Sequence, residues 1–257
     1  MMTLPNRFHF ISSETEEAIR ATHKLISVYG HFSLKEADVV VAIGGDGTML
    51  QTVRDVMNTG KPIYGMNQGS VGFLMNEFHE QELPTRIAAA HKKEIHPLRM
   101  IAEAECQGTI EALAINEVSL FRQSYQAAKI RISIDNNIRM EQLSCDGILV
   151  ATPAGSTAYN LSAQGPILPL MAPLMALTPV SPFRPRRWHG ALLPNTAIIR
   201  FDMLEPDKRP VNAAADNVEV KSVHSVTIST AKEVTASILF DSNHSWDERI
   251  LSEQFRY

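Results

Sequence analysis

Ala37-Asp38-Val39-Val40-Val41-Ala42-Ile43-Gly44-Gly45-Asp46-Gly47-Thr48 is the stretch on which the fold turns. Residues 37–43 are a mostly apolar run with four β-branched side chains. Such a run reads as a parallel strand buried on both faces. A glycine-rich turn ends it, and Met49 to Met57 follow with helical spacing up to Gly60. In α/β sheets, ligands gather at the carboxyl ends of strands. Glycines there let backbone amides approach an anion and allow positive φ, and the first turn of the following helix adds free N–H groups. Asp46 is the only acid in the turn. A carboxylate beside phosphates is electrostatically costly, so it needs a task. It accepts a proton from a substrate hydroxyl, holds Mg²⁺, or caps the helix. The pattern GxxxxGK[ST] is absent, which excludes a Walker-type phosphate loop.

Outward from this turn the pattern repeats. Phe8 to Ile11 reads as a strand, and residues 13–29 as a helix opened by Ser13 ahead of acidic residues. Residues 62–66 read as a further strand, followed by the loop 67–75 and a helix over 79–91. Strand, helix, strand, helix, strand predicts a doubly wound, Rossmann-like α/β domain over residues 1–98. From Arg99 the character changes to short β-rich runs separated by turns: 99–106, 109–121, 127–135, 136–144, 147–153, 196–204, 217–222 and 224–231. These predict a mostly β domain over residues 99–231, a sandwich. TASILFD, residues 235–241, continues the strand pattern, and SWDERILSEQF in the tail looks helical. Residues 232–257 are expected to pack back on the first domain.

Composition bounds the function classes. The chain has 257 residues, 44% hydrophobic and 20% charged, with a formal charge of −4. That is ordinary for a folded soluble protein, and no basic face or nucleic-acid module stands out. Cys106 and Cys145 fit neither a zinc knuckle nor a disulfide framework, and the histidines lack zinc spacing. The first twenty residues lack the apolar core of a signal peptide. The most apolar stretch, residues 165–183, carries five prolines and is excluded as a membrane helix. A cytoplasmic protein that contacts neither membrane nor nucleic acid is the expectation.

Four further blocks accompany GGDGT: Asn67-Gln68-Gly69-Ser70-Val71-Gly72-Phe73-Leu74, Ala114-Ile115-Asn116-Glu117-Val118, Cys145-Asp146-Gly147, and Thr152-Pro153-Ala154-Gly155-Ser156-Thr157-Ala158-Tyr159-Asn160-Leu161-Ser162. In this order and spacing, from about Ala37 to about Leu251, the chain resembles the NAD kinase family, also called polyphosphate/ATP-NAD kinase. The resemblance implies a kinase that transfers a phosphoryl group from ATP or polyphosphate to the 2′-hydroxyl of the adenosine ribose of NAD, with Mg²⁺ held by the donor phosphates. It implies that Asp46 accepts the hydroxyl proton, with Gly45, Gly47 and Thr48 beside the nucleotide and Phe73 near the sugar. Asn116 and Glu117 would hydrogen-bond the dinucleotide, and Asp146 the nicotinamide half. Ala154, Ser156, Thr157, Ala158, Tyr159, Asn160, Leu161 and Ser162 would bind along a loop-to-helix segment. Ser181 and the pair Asp216-Asn217 fall at further substrate positions. The resemblance also implies a homo-oligomer, dimer or tetramer, with sites shared across subunits. Ser144 stands where some relatives carry arginine and others glycine, a position that bears on NAD versus NADH preference. The segment 181–188 is locally basic.

Each block also has a plain structural reading. Asn116-Glu117 fits a strand end, Asp146-Gly147 a hairpin turn, and Ser156 a cap for the helix 156–164. Tyr159 and Phe73 fit core aromatics. Two other readings stand beside the NAD kinase: a lipid or sphingoid kinase sharing GGDGT, and an NAD(P)-binding sensor that has lost transfer.

Overall fold

The computed structural model describes residues 4–69, 72–105 and 107–242. The chain divides into two units, one holding residues up to Ile95 together with those from Val234 onward, the other His96–Glu233. The first unit contains β1 (Phe8–Ser12), α1 (Glu16–Tyr29), β2 (Val39–Gly44), α2 (Asp46–Val56), β3 (Ile63–Asn67), α3 (Leu83–Ala89) and β4 (His91–Ile95). The second contains β5 (Leu98–Ala104), β6 (Gly108–Ala114), β7 (Glu117–Arg122), β8 (Ala128–Ile134), β9 (Asn137–Cys145), β10 (Gly147–Ala151) and α4 (Tyr159–Ser162). It continues with β11 (Leu174–Val180), β12 (Ala191–Pro194), β13 (Ile199–Met203), β14 (Val211–Ala215), β15 (Val218–Val220) and β16 (Val223–Thr230). The last described strand, β17 (Ala236–Phe240), returns to the first unit.

In the first unit the sheet order is β1-β2-β3-β17-β4. The first four strands are parallel and β4 runs antiparallel to β17. Every residue of β2 is buried, as its apolar run requires. In α1, Ala18, Ala21 and Leu25 recur at helical spacing and pack on Phe8, Phe10, Val41 and Tyr64. Burial of a side chain such as Leu25 stabilises by about 2 kcal/mol. The cap of α1 is Thr15, not Ser13: the Thr15 hydroxyl accepts the Ala18 N–H at 3.4 Å, while Ser13 bonds to Thr15. Helix α3 joins the same core through Leu83 and Ile87. Met49 of α2 lies on the opposite face of the sheet, against Gly65, so helices flank both sides.

One expectation for this unit is corrected. The helix expected over 79–91 is only Leu83–Ala89. Glu82 adopts a left-handed φ of 59°, and from His91 the chain pairs with β17 as a strand. Residues 235–241 supply β17, which inserts between β3 and β4. The tail expected to be helical lies outside the described residues.

The second unit is a sandwich of two six-stranded sheets, β12-β11-β10-β7-β14-β15 and β6-β5-β16-β13-β8-β9. One core joins their inner faces, with Val118, Leu120, Ile148 and Val150 from the first sheet and Met100, Ile199, Phe201 and Val226 from the second. Strands β11, β12 and β14 were not expected. Strand β11 runs through the proline-rich stretch because Pro179 lies beyond Leu174–Leu177, the part of β11 that β12 pairs, and leaves no ladder bond unmade on that side. Strand β14 is an Ala-rich VNAAA that β-propensity does not flag.

Candidate functional site

In the first unit, β2 delivers the turn to its carboxyl end. Gly44 has φ 155°, and a Cβ there would lie 2.4 Å from Thr48 Oγ1, so the close packing of the turn requires glycine. Gly45 occupies the N-cap position of α2, and Asp46 is the first helical residue, three positions earlier than the expected Met49. The Asp46 side chain makes no cap. It reaches across to the 72–74 segment, where Oδ2 accepts the Phe73 N–H at 2.7 Å and Oδ1 accepts the Leu74 N–H at 2.9 Å. Gly72 makes this possible, since a Cβ there would lie 2.5 Å from Asp46 Oδ1. Capping by Asp46 is therefore excluded. Each carboxylate oxygen keeps a lone pair for a further donor. Nothing lies within 4 Å of where a Cβ would sit on Gly45 or Gly47, which leaves the turn's backbone approachable. Asn76, buried to 1%, holds the loop's return: its amide donates to Gly65 O and Leu239 O, and its Oδ1 accepts the Asp241 N–H.

In the second unit, the starts of β7 and of the β14–β15 turn meet the end of β10. The Asp216 carboxylate accepts the N–H groups of Ile115 at 2.8 Å, Asn116 at 3.0 Å and Glu117 at 3.2 Å. Thr152 donates its N–H to Asn116 O and its hydroxyl to Ile115 O. Gly155 packs on the Asn116 backbone, where a Cβ would stand 2.1 Å from Asn116 O. Val118 and Leu120 of β7 enter the core, which turns Glu117, Ser119 and Phe121 to the other face of the sheet. Glu117 Oε2 is buried without a hydrogen-bond partner. Burial, reinforced by the Asp216 charge, pushes the Glu117 carboxyl up to about 7.

The 152–162 segment is less helical than expected. It is a 3-10 turn over Ala154–Thr157 followed by the four-residue α4, because Ala158 (φ −89°, ψ −131°) interrupts the helical backbone. Ser156 and Asn160 are fully buried and their polar atoms are satisfied internally. The Ser156 hydroxyl accepts the Leu168 N–H, while Asn160 donates to Ser156 O and Pro166 O and accepts from Thr178. Ala154 is buried; Thr157, Ala158 and Leu161 are half-buried; Tyr159 and Ser162 are exposed. Tyr159 sets its ring edge-on to Phe121, with centroids 5.7 Å apart. It is a surface aromatic, not a core one.

Asp146 does not sit in a hairpin. It marks the passage of the chain from β9 in one sheet to β10 in the other, with its carboxylate on Arg122 Nε at 2.6 Å. Ser144 is 7% exposed and pairs through its backbone with Arg184 of the basic segment. Arg184 and Arg186 stack over the exposed Phe183. Ser181, at φ 47°, and Ser162 line a cavity of about 250 Å³ with Trp188 and His189. Asn217 is exposed. Among the described residues, no three His, Cys, Asp or Glu side chains gather as a metal centre, and no helix is long and apolar enough to cross a membrane.

Sequence reasoning missed the positioning roles of Gly72, Gly155 and Asn76. The signal for the two glycines was their place inside motif blocks, but what they avoid is visible only in three dimensions.

Residues 4–95 match the family model for the ATP-NAD kinase N-terminal domain, and residues 115–189 that for the ATP-NAD kinase C-terminal domain. The chain is 68% identical to the NAD kinase of Brucella suis biovar 1 (strain 1330) over 249 residues, 97% of each chain. It is 64% identical to the NAD kinase of Mesorhizobium japonicum over 257 residues, 100% of each. Among solved structures, a yeast NADH kinase complexed with NADH superposes with a TM-score of 0.84 at 19% identity, covering 100% of this chain and 90% of that one. An NAD kinase from Archaeoglobus fulgidus in complex with ATP gives 0.76 at 21% identity, covering 96% and 98%. These two likenesses speak to the fold.

Proposed function

This chain belongs to the NAD kinase family, and from that membership we propose that it transfers the terminal phosphoryl group of ATP to the 2′-hydroxyl of the adenosine ribose of NAD, forming NADP. The observation that carries the role of Asp46 is its carboxylate, freed from capping and held by the amides of Phe73 and Leu74 above an open glycine turn. There it orients the ribose hydroxyl and takes its proton as the 2′-oxygen bonds to the γ-phosphorus. The bond from that phosphorus to the β-phosphate bridging oxygen breaks, and ADP leaves with the electron pair. Alignment and charge neutralisation do most of the work in such transfers. A proton acceptor contributes on the order of a hundredfold or more.

The turn fits a Mg²⁺ carried on the donor phosphates rather than caged by protein, since both Asp46 oxygens already accept amide hydrogens and no other carboxylate stands in the turn. When bound, the cation would neutralise charge on the transferring group. Polyphosphate is the alternative donor. We assign dinucleotide recognition to Asn116, Glu117, Asp146, Tyr159, Ser162 and Ser181 of the second unit, and place the enzyme in the cytoplasm as a homo-oligomer.

The test is direct. Protein, NAD, Mg²⁺ and either ATP or polyphosphate are incubated, and NADP is read with an NADP-specific dehydrogenase. NADP with ATP is expected. None with either donor would replace the enzyme by an NAD(P)-binding sensor.

A further inference from the structure

We propose that Glu117 meets the dinucleotide as a neutral carboxylic acid, donating its carboxyl hydrogen to an acceptor atom of the ligand, so that NAD binding weakens when this one proton is lost. The ligand rests on the NAD kinase reading; the protonation state does not.

The supply of hydrogen-bond donors decides the protonation state. Around the start of β7 the backbone offers three N–H groups, those of Ile115, Asn116 and Glu117, and all three go to Asp216. Thr152 turns its hydroxyl and N–H to the carbonyls of Ile115 and Asn116, and Asp216 N–H goes to Glu117 O. None of these donors is left for the Glu117 side chain, whose Oε2 is buried with no partner. A carboxylate in that position would be an unpaired buried charge, which is far costlier than a neutral acid.

Two adjacent carboxyls do not ionise alike. Three amide donors go to Asp216, and its charge disfavours a second one on Glu117 beside it. Glu117 feels the charge of Asp216 and of no cation that its titration records. Its cross-strand partner on β10 is Ala151, the next residue is Thr152, and the same face of β7 continues with Ser119 and Phe121. From the β14–β15 turn the charged group is Asp216 itself. The direction of the Glu117 titration, raised first by burial and then by Asp216, agrees with this allotment of donors.

The consequence is a change of hydrogen-bond type. A carboxylic acid both donates and accepts, whereas a carboxylate only accepts. A ligand acceptor atom facing the carboxyl is bound by the acid and repelled by the ion.

The first experiment needs no ligand. Full-length protein carrying ¹³C-carboxyl glutamate is titrated by NMR, and the Glu117 resonance is identified by its loss in Glu117→Gln. A midpoint near neutrality is expected, and one in the ordinary glutamate range overturns the proposal. The second measures the NAD dissociation constant by calorimetry. From about pH 6 to about pH 8 the wild type should weaken roughly tenfold, as one proton with a midpoint near 7 requires. Glu117→Gln, which keeps a donor and cannot titrate, should show no such trend. A flat wild type, or the same trend in both proteins, overturns the ligand-facing role. Failure to make NADP would count against the kinase reading and leave the NMR result standing.

Discussion

Two carboxyls, one in each unit, receive opposite treatment from the backbone. Asp46 has two amide donors brought to it by the 72–74 segment, and no other acid stands in its turn. Glu117 has none, because Asp216 takes all three that the strand start offers. Both are half-buried and both follow a short apolar run. What separates them is the local supply of N–H groups, not residue type or depth. A buried carboxyl without donors, as Glu117 is, is suited to hold a proton and donate it.

The sharpest way to break the comparison is to remove the charge that the turn supports. Asp46→Asn should lower kcat for NADP formation a hundredfold or more while NAD still binds, measured by coupled assay and calorimetry. Near-normal turnover would remove Asp46 as proton acceptor.

Next comes the cost of leaving Glu117 without donors. Its folded-state value of about 7 lies above the ordinary 4.5, so the unfolded chain ionises first as pH rises. The neutral acid's full contribution to stability is present below about pH 4.5 and is lost by about pH 7. Glu117→Gln avoids that loss. It should stabilise the protein at about pH 8 by about 2 kcal/mol, after discounting for partial solvent exposure, and leave it unchanged at about pH 4. Urea unfolding at the two pH values checks this, and equal effects at both would contradict it.

A smaller effect follows from displacing the Asp46 clamp without touching the acid. Gly72→Ala places a Cβ 2.5 Å from Asp46 Oδ1 and 2.9 Å from its Cγ. Either the carboxylate or the loop must shift, and kcat should fall about tenfold with KM for NAD little changed, since a small misplacement of a reacting group costs rate before it costs binding. Unaltered kcat would mean that the amide contacts are incidental. The smallest change is expected from Asp216→Asn. Burial is the larger cause of the Glu117 shift and the Asp216 charge the lesser one. The Glu117 midpoint should therefore drop only part of the way toward its usual range, as followed by the same NMR titration.

Much of this architecture was legible along the chain. The run into GGDGT reads as a strand buried on both faces, because from Val39 to Ile43 polar groups are missing from both sides of its two-residue period and its residues are mostly β-branched. The alternating runs of the second unit marked most of its strands for the same reason. Strands β11 and β14 escaped because prolines and alanines carry weak strand signals, and neighbours on the sheet decided their conformation. Helix α4 shrank to four residues because Ala158 breaks the helical backbone, while Asn160 within it is buried and bonded to Ser156, Pro166 and Thr178. Those partners are close only after the loop has folded back.

The sequence by itself determined the two fold classes, the family and the position of the acid in the glycine turn, since each is written in residues adjacent in the chain. Only the tertiary structure decided what Asp46 does with its carboxylate and that the amides at the start of β7 go to Asp216 and not to Glu117. Those depend on amides 27, 28 and about 100 residues away. Hydrogen-bond donors are allotted in space, and a spacing of motifs carries no record of that allotment.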